Sequence, residues 1–364
     1  MIVGSTKEDL TAEKRISLTP ETAKNIIALG LKVCVEKDYA IHLGIQDKEY
    51  TDVGVEIKNS SVEVLSTCDL LIKVNCPSEK EINDLKEKTI LIGMLNPSKN
   101  KDPISEIIKK RINIFSLELL PRITRAQSMD VLSSQSNLAG YRAVIDCVAE
   151  FEKAIPMMMT AAGTVPAAKI LVIGAGVAGL QAIATAKRLG AIVSATDVRA
   201  ASKEQVESLG GKFLTVEQTE NMETAGGYAK EASEDYKKKQ SEMMREAVKK
   251  NDIIICTALI PGKPAPRILT EDLVKLMRSG SIVYDLAAEQ GGNSAFSEAG
   301  KINLVEGIKI IGVKSLMNRL PLTASSLYAK NLFSFIRNLY SKEKKDFNIN
   351  LEDEIISKSL IKEI

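Results

Sequence analysis

The stretch ILVIGAGVAG at 170–179 constrains the fold of this chain more than any other part of it. An apolar strand candidate runs into Gly174, Gly176 and Gly179, a helical pattern follows, and the next strand candidate ends on Asp197. In this G-x-G-x-x-G fingerprint the first glycine makes a tight turn, the second lets the backbone approach a pyrophosphate, and the third lets helix and strand pack closely. The helix N-terminus attracts phosphate through unpaired N–H groups and a positive dipole end. The sequence therefore predicts a dinucleotide site.

The acidic residue of the fingerprint indicates which dinucleotide is bound. Asp197 lies 18 positions beyond Gly179, about where this fingerprint places the residue that accepts hydrogen bonds from ribose hydroxyls. A carboxylate at that position would repel a 2′-phosphate. The sequence therefore favours NAD(H) over NADP(H) as the cofactor.

The composition is that of an ordinary globular protein. At 364 residues the chain is long enough for two domains, and its net charge of +2 gives no reason to expect nucleic acid as a partner. No run approaches the roughly 20 apolar residues of a membrane-spanning helix, and the N-terminus lacks the pattern of a signal peptide. The five cysteines form no C-x-x-C pair and no metal-ligand spacing, which predicts reduced thiols in a cytoplasmic protein and no metal site.

Strand and helix patterns alternate in two stretches of the chain. The first covers 1–120 with five strand candidates, and the second runs from 168 to about 315 with six, the number of a full Rossmann sheet of order 3-2-1-4-5-6. This alternation predicts an α/β fold with two Rossmann-like, doubly wound parallel-sheet domains and a cleft between them. The expected domains are an N-terminal one that is discontinuous (1–127 and 328–364) and an NAD(H)-binding one (128–327) that includes a long connecting helix (128–153).

Local signals place several other elements. Thr19 with Pro20, the pair Ser78 and Glu81, and Asp102 with Pro103 are typical of helix N-termini. A further helix over 325–341 is expected to return the chain to the first domain, with a short helix near the C-terminus packed on it.

A polar connection at 217–241 follows the third Rossmann strand. It contains Gly226, Gly227 and Tyr228. Long connections in compact domains are usually functional lids or disordered loops. Its place beside the nucleotide favours a mobile lid.

The segment 121–141, at the start of the connecting helix, is rich in polar side chains. A structural interpretation has Ser128 capping the helix, Asp130 favouring the helix dipole, and solvated arginines. A functional interpretation makes the segment a binding site. The side chains concerned are Arg122, Arg125, Gln127, Asp130 and Ser133.

The chain closely resembles the NAD(H)-binding component of the proton-translocating nicotinamide nucleotide transhydrogenases, which are related to the alanine dehydrogenases. The resemblance covers almost the whole chain. The motifs that carry it are EKRISLTPET (13–22), RAQSMDVLSSQSNLAGYRAV (125–144), the glycine turn through TDVR, TAGGYAKE (224–231), TALIPGKPAP (257–266) and DLAAEQGGN (285–293).

The resemblance implies roles for particular residues. Residues matching Arg122, Asp130 and Ser133 surround the nicotinamide ring and its carboxamide, and the residue matching Gln127 lies where the partner's nucleotide docks; these four are the implied catalytic set. The lid bearing Tyr228 is expected to close over the cofactor. The implied cofactor-binding residues are Gly174, Gly176, Val177, Ala178, Gly179, Asp197, Val198, Arg199, Tyr228, Ala258 and Leu259.

The resemblance also implies the reaction and its partners. A hydride would pass directly from NADH to NADP⁺ held on another polypeptide, so the protein's task is to position the cofactor. The expected partners are a second copy of the chain, a membrane-spanning proton channel component and an NADP(H)-binding domain. The chain would then be a peripheral subunit at the cytoplasmic side of the inner membrane, and proton translocation would belong to its partners.

Two other functions stay open on the sequence. One is a soluble alanine dehydrogenase, because Arg15 and Lys73 match the positions that bind the 2-oxo acid in those enzymes. Those enzymes carry a histidine after the lysine, where this chain has Leu95 and Asn96, and the single histidine, His42, is better explained by a structural role. The other is an NAD(H)-responsive binding protein without catalytic activity.

Overall fold

The computed structural model describes residues 1–216, 234–260 and 263–362 of the chain. They form two compact units, Met1–Gln135 with Met317–Ile364, and Ser136–Leu316. Each unit contains one seven-stranded sheet. The strands are β1 (Ile2–Ser5), β2 (Lys32–Glu36), β3 (Glu56–Lys58), β4 (Leu70–Ile72), β5 (Ile90–Gly93), β6 (Asn113–Ser116), β7 (Met158–Thr160), β8 (Gly163–Val165), β9 (Lys169–Ile173), β10 (Ile192–Thr196), β11 (Lys212–Phe213), β12 (Ile253–Cys256), β13 (Ile282–Asp285), β14 (Ile302–Val305), β15 (Ile308–Gly312), β16 (Tyr340–Ser341), β17 (Asp346–Phe347) and β18 (Leu360–Ile361).

The helices fill the connections between these strands, and a 3₁₀ turn at Thr124–Met129 precedes the longest of them. The α-helices are α1 (Pro20–Ile27), α2 (Asp47–Thr51), α3 (Ser61–Thr67), α4 (Glu79–Asp84), α5 (Lys101–Lys109), α6 (Val131–Glu150), α7 (Val177–Arg188), α8 (Ser202–Ser208), α9 (Glu234–Lys250), α10 (Glu271–Val274), α11 (Pro321–Leu339) and α12 (Glu354–Ser359). Among the described helices, none combines the length and the apolar character needed to cross a bilayer.

The sheet of the first unit has the order β18-β6-β5-β4-β1-β2-β3. All neighbouring strands are parallel except β18, which pairs antiparallel with β6. The central strands are buried, as expected of parallel strands covered on both faces. The five predicted strands are present, and the two unpredicted ones, β3 and β18, are short edge strands whose sequences carry little apolar signal.

The sheet of the second unit has the order β11-β10-β9-β12-β13-β15-β14. The six predicted strands therefore occupy the predicted Rossmann order 3-2-1-4-5-6, and only the antiparallel edge strand β14 was not predicted. Ile173, Thr196, Cys256 and Asp285 pair with one another in sequence across β9, β10, β12 and β13. The loops that follow these four strands thus leave the sheet at one edge.

The predicted α/β class with two mostly parallel sheets is confirmed, and several element boundaries are corrected. The connecting helix α6 covers 131–150 rather than 128–153, and α11 covers 321–339 rather than 325–341. Helix α5 begins at Lys101, not at the Asp102–Pro103 pair. Thr19 caps α1 and Ser78 caps α4, as predicted.

Candidate nucleotide site

The three glycines of the turn between β9 and α7 differ in their surroundings. Gly174 has a φ of +96°, in the region that favours glycine. A Cβ on Gly179 would lie 1.8 Å from the carbonyl oxygen of Gly174, so the helix packs against the turn as closely as glycine permits. A Cβ on Gly176 would meet only an Nη2 atom of Arg199, at 4.0 Å. The backbone at Gly176 is therefore accessible to a ligand.

Helix α7 begins at this turn with Gly176 as its N-cap. The first N–H groups of a helix have no partner within it, so those of Val177 and Ala178 are placed to meet an anion. Gly140 of α6 packs against the same helix start, since a Cβ there would lie 2.0 Å from the Ala178 carbonyl oxygen. Neighbouring α6 thus fixes the position of the helix end.

The carboxylate of Asp197 already has hydrogen-bond donors on both oxygens. The Ala175 N–H donates to Oδ2 at 2.7 Å, and the Arg199 N–H donates to Oδ1 at 2.8 Å. The guanidinium of Arg199 adds two more, from Nε to Oδ1 at 2.9 Å and from Nη2 to Oδ2 at 3.0 Å. Burial by itself would raise the pKa of Asp197, but these bonds outweigh it and lower the pKa. The carboxylate is therefore ionised and is linked to the glycine turn.

The end of β12 lies beside the same turn. The Thr257 hydroxyl donates to the Gly174 carbonyl oxygen at 2.9 Å. The buried side chain of Asn293 accepts from the Ala258 N–H at 3.0 Å and donates to the Ala258 and Pro266 carbonyl oxygens, both at 2.8 Å. Asn293 was not predicted as a site residue, and its presence in the motif DLAAEQGGN was the only sequence signal for it.

Apolar side chains at the carboxyl ends of three adjacent strands are exposed. Val177 is 41% exposed, Val198 68% and Leu259 48%. Exposed apolar side chains around a polar, anion-binding turn are the usual lining of a small-molecule site. Together with the open face of Gly176, this lining fits the heterocycle and pyrophosphate of a dinucleotide.

The second group of candidate residues lies in the first unit, where Asp130 caps α6. The Ser133 N–H donates to Asp130 Oδ1 at 2.9 Å, and the Ser133 hydroxyl donates to Oδ2 at 2.6 Å. The structural interpretation that gave this role to Ser128 is wrong, because the Ser128 carbonyl oxygen instead accepts from Asn331 at 2.8 Å. Asp130 and Ser133 therefore form one preorganised polar pair.

The remaining residues of this group lie on the preceding 3₁₀ turn or just before it. Arg122 and Gln127 are exposed, and so is Arg125. Arg125 is not simply solvated, since it donates to both carboxylate oxygens of Asp353, with Nη1 3.1 Å from Oδ2. The turn thus presents Arg122 and Gln127 outward while Arg125 anchors it.

The structure therefore brings the predicted residues together in two groups. One group surrounds the glycine turn of the second unit, and the other surrounds the start of α6 in the first. Tyr228 and most of the predicted lid lie outside the described residues, and the last part of that lid, from residue 234, is the start of α9.

Both parts of the chain match one protein family. Residues 4–139 match the alanine dehydrogenase/PNT N-terminal domain, and residues 143–363 match the alanine dehydrogenase/PNT C-terminal domain. The chain belongs to the alanine dehydrogenase/PNT family.

Individual members of the family differ in their similarity to the chain. An NAD(P) transhydrogenase subunit alpha polypeptide of Rhodospirillum rubrum is 50% identical over 98% of this chain and 95% of its own length. The crystal structure of a transhydrogenase from Sinorhizobium meliloti superposes with a TM-score of 0.86 at 43% identity, covering 100% of this chain and 97% of that one. The alanine dehydrogenase of Methanococcus maripaludis is 28% identical over 80% of this chain and 74% of its own length.

Arg15 lies at one of the positions that the alanine dehydrogenase resemblance assigns to 2-oxo acid binding. It is buried and donates to both carboxylate oxygens of Glu13, at 2.9 and 2.7 Å, and to Gln135 Oε1 at 3.0 Å. The ring of Tyr328 lies 5.9 Å from the guanidinium carbon. Arg15 is thus part of a satisfied internal network in this member of the family.

Lys73 lies at the other such position and is also internal. Its ammonium donates to Glu81 Oε1 at 2.7 Å and to the Thr6 hydroxyl at 3.2 Å, with Glu8 Oε2 at 3.7 Å. Burial raises the pKa of Glu8 to about 7, against the opposing effect of Lys73. Burial would also raise the pKa of Glu81, but Lys73 outweighs it and lowers that pKa.

The chain's single histidine has a structural role, as the sequence suggested. His42 Nε2 lies 2.9 Å from the Lys14 carbonyl oxygen. Where alanine dehydrogenases carry a histidine, the N–H groups of Leu95 and Asn96 donate to the Glu118 carboxylate, at 3.1 and 2.5 Å. Neither residue offers a side chain that titrates near neutral pH.

Proposed function

We propose that the chain is the NAD(H)-binding subunit of a proton-translocating NAD(P) transhydrogenase, an oxidoreductase. In this proposal a hydride passes between NADH on this chain and NADP⁺ on a partner domain, while membrane-embedded partners couple the transfer to proton translocation. The observation that carries the proposal is the end-to-end 50% identity with a transhydrogenase alpha subunit. The similarity to an alanine dehydrogenase is lower and covers less of the chain.

The surroundings of the glycine turn support NAD(H) as the cofactor. The Val177 and Ala178 N–H groups would bind the pyrophosphate, and Asp197 would accept ribose hydroxyls. Because four donors already engage Asp197, ribose binding would displace the guanidinium of Arg199. The ionised Asp197 also supports preference for NAD(H) over NADP(H), since it would repel a 2′-phosphate.

The chemistry of Arg122, Asp130 and Ser133 suits the nicotinamide carboxamide. The Ser133 hydroxyl gives its hydrogen to Asp130, so both side chains offer acceptor oxygens to the carboxamide N–H groups. Arg122 is exposed and supplies donors for the carboxamide oxygen. Holding this group fixes the ring, and direct transfer needs donor and acceptor carbons about 3–3.5 Å apart. Gln127 would then contact the partner's nucleotide.

Bound NAD(H) would supply the hydride chemistry, so the chain needs no acid–base residue at the reacting carbon. This agrees with His42 being engaged by a backbone carbonyl and with Leu95 and Asn96 at the position of the alanine dehydrogenase histidine. Reductive amination of a 2-oxo acid would require proton transfer at its substrate.

The proposal is tested by mixing the purified chain with the NADP(H)-binding domain of a transhydrogenase. NADPH should then reduce an oxidised NAD analogue whose absorbance differs from that of NADH, and the reaction should require both proteins. NADH oxidation by pyruvate and ammonia in the presence of the chain alone would instead establish an amino-acid dehydrogenase. NADH binding without either reaction would favour a binding protein.

A further inference from the structure

Helix α11 carries a regular stripe of hydrogen-bonding positions along the candidate site segment of the first unit. Ala324, Asn331 and Asn338 are seven residues apart, so they lie on one face of the helix at successive pairs of turns. Each of them is connected by hydrogen bonds to the segment 125–135, and the order of the connections is antiparallel.

Asn331 is the middle connection and uses both ends of its amide. Its Nδ2 donates to the Ser128 carbonyl oxygen at 2.8 Å, on the 3₁₀ turn that carries Gln127. Its Oδ1 accepts from the Ser134 hydroxyl at 2.7 Å, in the first turn of α6. One buried side chain therefore ties together the two pieces of backbone that flank Asp130.

The other two connections extend the same contact in both directions. Gln135 Nε2 donates to the Ala324 carbonyl oxygen at 3.2 Å. At the opposite end Asn338 Nδ2 donates to Asp353 Oδ2 at 3.2 Å, and Asp353 accepts the guanidinium of Arg125. The segment is thus held at its beginning, middle and end by one helix and its neighbour.

Helix α11 is a firm support for this contact. Its opposite side is buried in the core of the first unit, and Tyr328 donates to the Lys73 carbonyl oxygen at 2.8 Å while accepting from the Met94 N–H at 3.1 Å. Site residues keep their geometry when packed, hydrogen-bonded neighbours hold them.

We propose that Asn331 is a positioning residue of the candidate site, holding the turn 124–129 in place relative to the start of α6 so that Gln127 and Asp130 keep their arrangement. The proposal rests on the proposed function for its consequence, hydride transfer, but the positioning itself is measured without it. A 3₁₀ turn has few hydrogen bonds of its own and poorer geometry than an α-helix. Without Asn331, the side-chain contact described for the turn that would remain is the exposed Arg125–Asp353 pair.

The test compares Asn331→Ala and Asn331→Leu with Asn100→Ala. Both Asn331 variants lose the two hydrogen bonds, and the leucine variant keeps the volume, so an effect common to both belongs to the bonds rather than to a cavity. Asn100 is the control because its Nδ2 also donates to a backbone carbonyl oxygen of the first unit, that of Leu95 at 2.8 Å, away from the segment.

Amide hydrogen exchange over 124–130 should accelerate at least tenfold in both Asn331 variants and stay unchanged in Asn100→Ala. With the partner domain and saturating nucleotides, hydride transfer should fall at least tenfold while the NADH dissociation constant changes less than threefold. Unchanged exchange over the turn would overturn the proposal, and so would accelerated exchange with a wild-type transfer rate. If the wild-type chain transfers no hydride, the proposed function fails, and exchange alone then decides whether Asn331 holds the turn.

Discussion

The two groups of candidate residues are held in place by different means. The glycine turn of the second unit is built from neighbouring sequence, since Gly174, Gly176 and Gly179 fall within six consecutive residues. The turn 124–129 of the first unit depends on Asn331 and Asp353, which lie about two hundred residues further along the chain. A site made from local backbone geometry can be recognised as a motif. A site held by distant side chains needs the fold before its supports can be named.

Gly179→Ala should have the largest effect, because it acts on the local turn itself. The new Cβ would lie 1.8 Å from the Gly174 carbonyl oxygen, and relieving this overlap must shift backbone. We expect roughly 3 kcal/mol of lost stability in the second unit, typical of severe overpacking, and NADH binding too weak to measure. Thermal unfolding and NADH fluorescence titration check both.

Gly176→Ala is the matched control for that change. Its Cβ meets no protein atom closer than 4.0 Å, and its φ of −75° suits alanine. Stability should therefore stay close to wild type, while NADH binding weakens roughly tenfold because the methyl group obstructs the pyrophosphate. Equal destabilisation by the two substitutions would show that Gly176 is also needed for packing.

Asp197→Ala should weaken NADH binding by about 1–3 kcal/mol, the range for a lost charge-assisted hydrogen bond. The effect should be confined to the adenosine half of the ligand. ADP-ribose should therefore lose affinity as NADH does, while reduced nicotinamide mononucleotide should not. An equal loss for all three, measured by calorimetry, would count against a specific ribose contact.

The same contrast between the units appears in their buried carboxylates, and Glu8→Gln tests it through pH. Burial raises the pKa of Glu8 to about 7 in the folded protein, above its value in an unfolded chain. The folded state therefore binds this proton more tightly, and the stability it provides is fully present below about pH 4.5 and lost as pH rises to about 7. The unfolding free energy of wild type relative to Glu8→Gln should fall by about 1–3 kcal/mol over this range.

Urea unfolding at pH 5, 6, 7 and 8 measures that difference. The exposed Glu87 provides the control, since Glu87→Gln should leave the pH profile of the wild type unchanged. Parallel profiles for wild type and Glu8→Gln would mean that Glu8 ionises normally in the fold.

Arg125→Gln should have the smallest effect and separates the two supports of the turn 124–129. The Arg125 side chain is 57% exposed, and exposed ion pairs contribute about 1 kcal/mol or less. Hydrogen exchange over the turn should therefore rise only slightly, well below the rise in Asn331→Ala. A larger rise in Arg125→Gln would make the Arg125–Asp353 pair the principal support.

The sequence by itself determined the local features. The glycine spacing, Asp197 and the buried apolar runs predicted the Rossmann order of β9–β13 and β15, because tight turns and fully buried parallel strands leave their mark in consecutive residues. Helix caps at Thr19 and Ser78 were predicted for the same reason. The short edge strands β3, β14 and β18 were missed, because few residues define them and much of their pairing comes from the neighbouring strand.

The tertiary structure alone decided how the polar side chains are paired. It replaced Ser128 by Asp130 as the cap of α6, placed Arg199 on Asp197, and linked Asn293 to Ala258. The contacts of Asn331 with Ser128 and Ser134 span about two hundred residues. A hydrogen bond across such a separation forms only after the core has brought both partners together, so no pattern in the sequence between them records it.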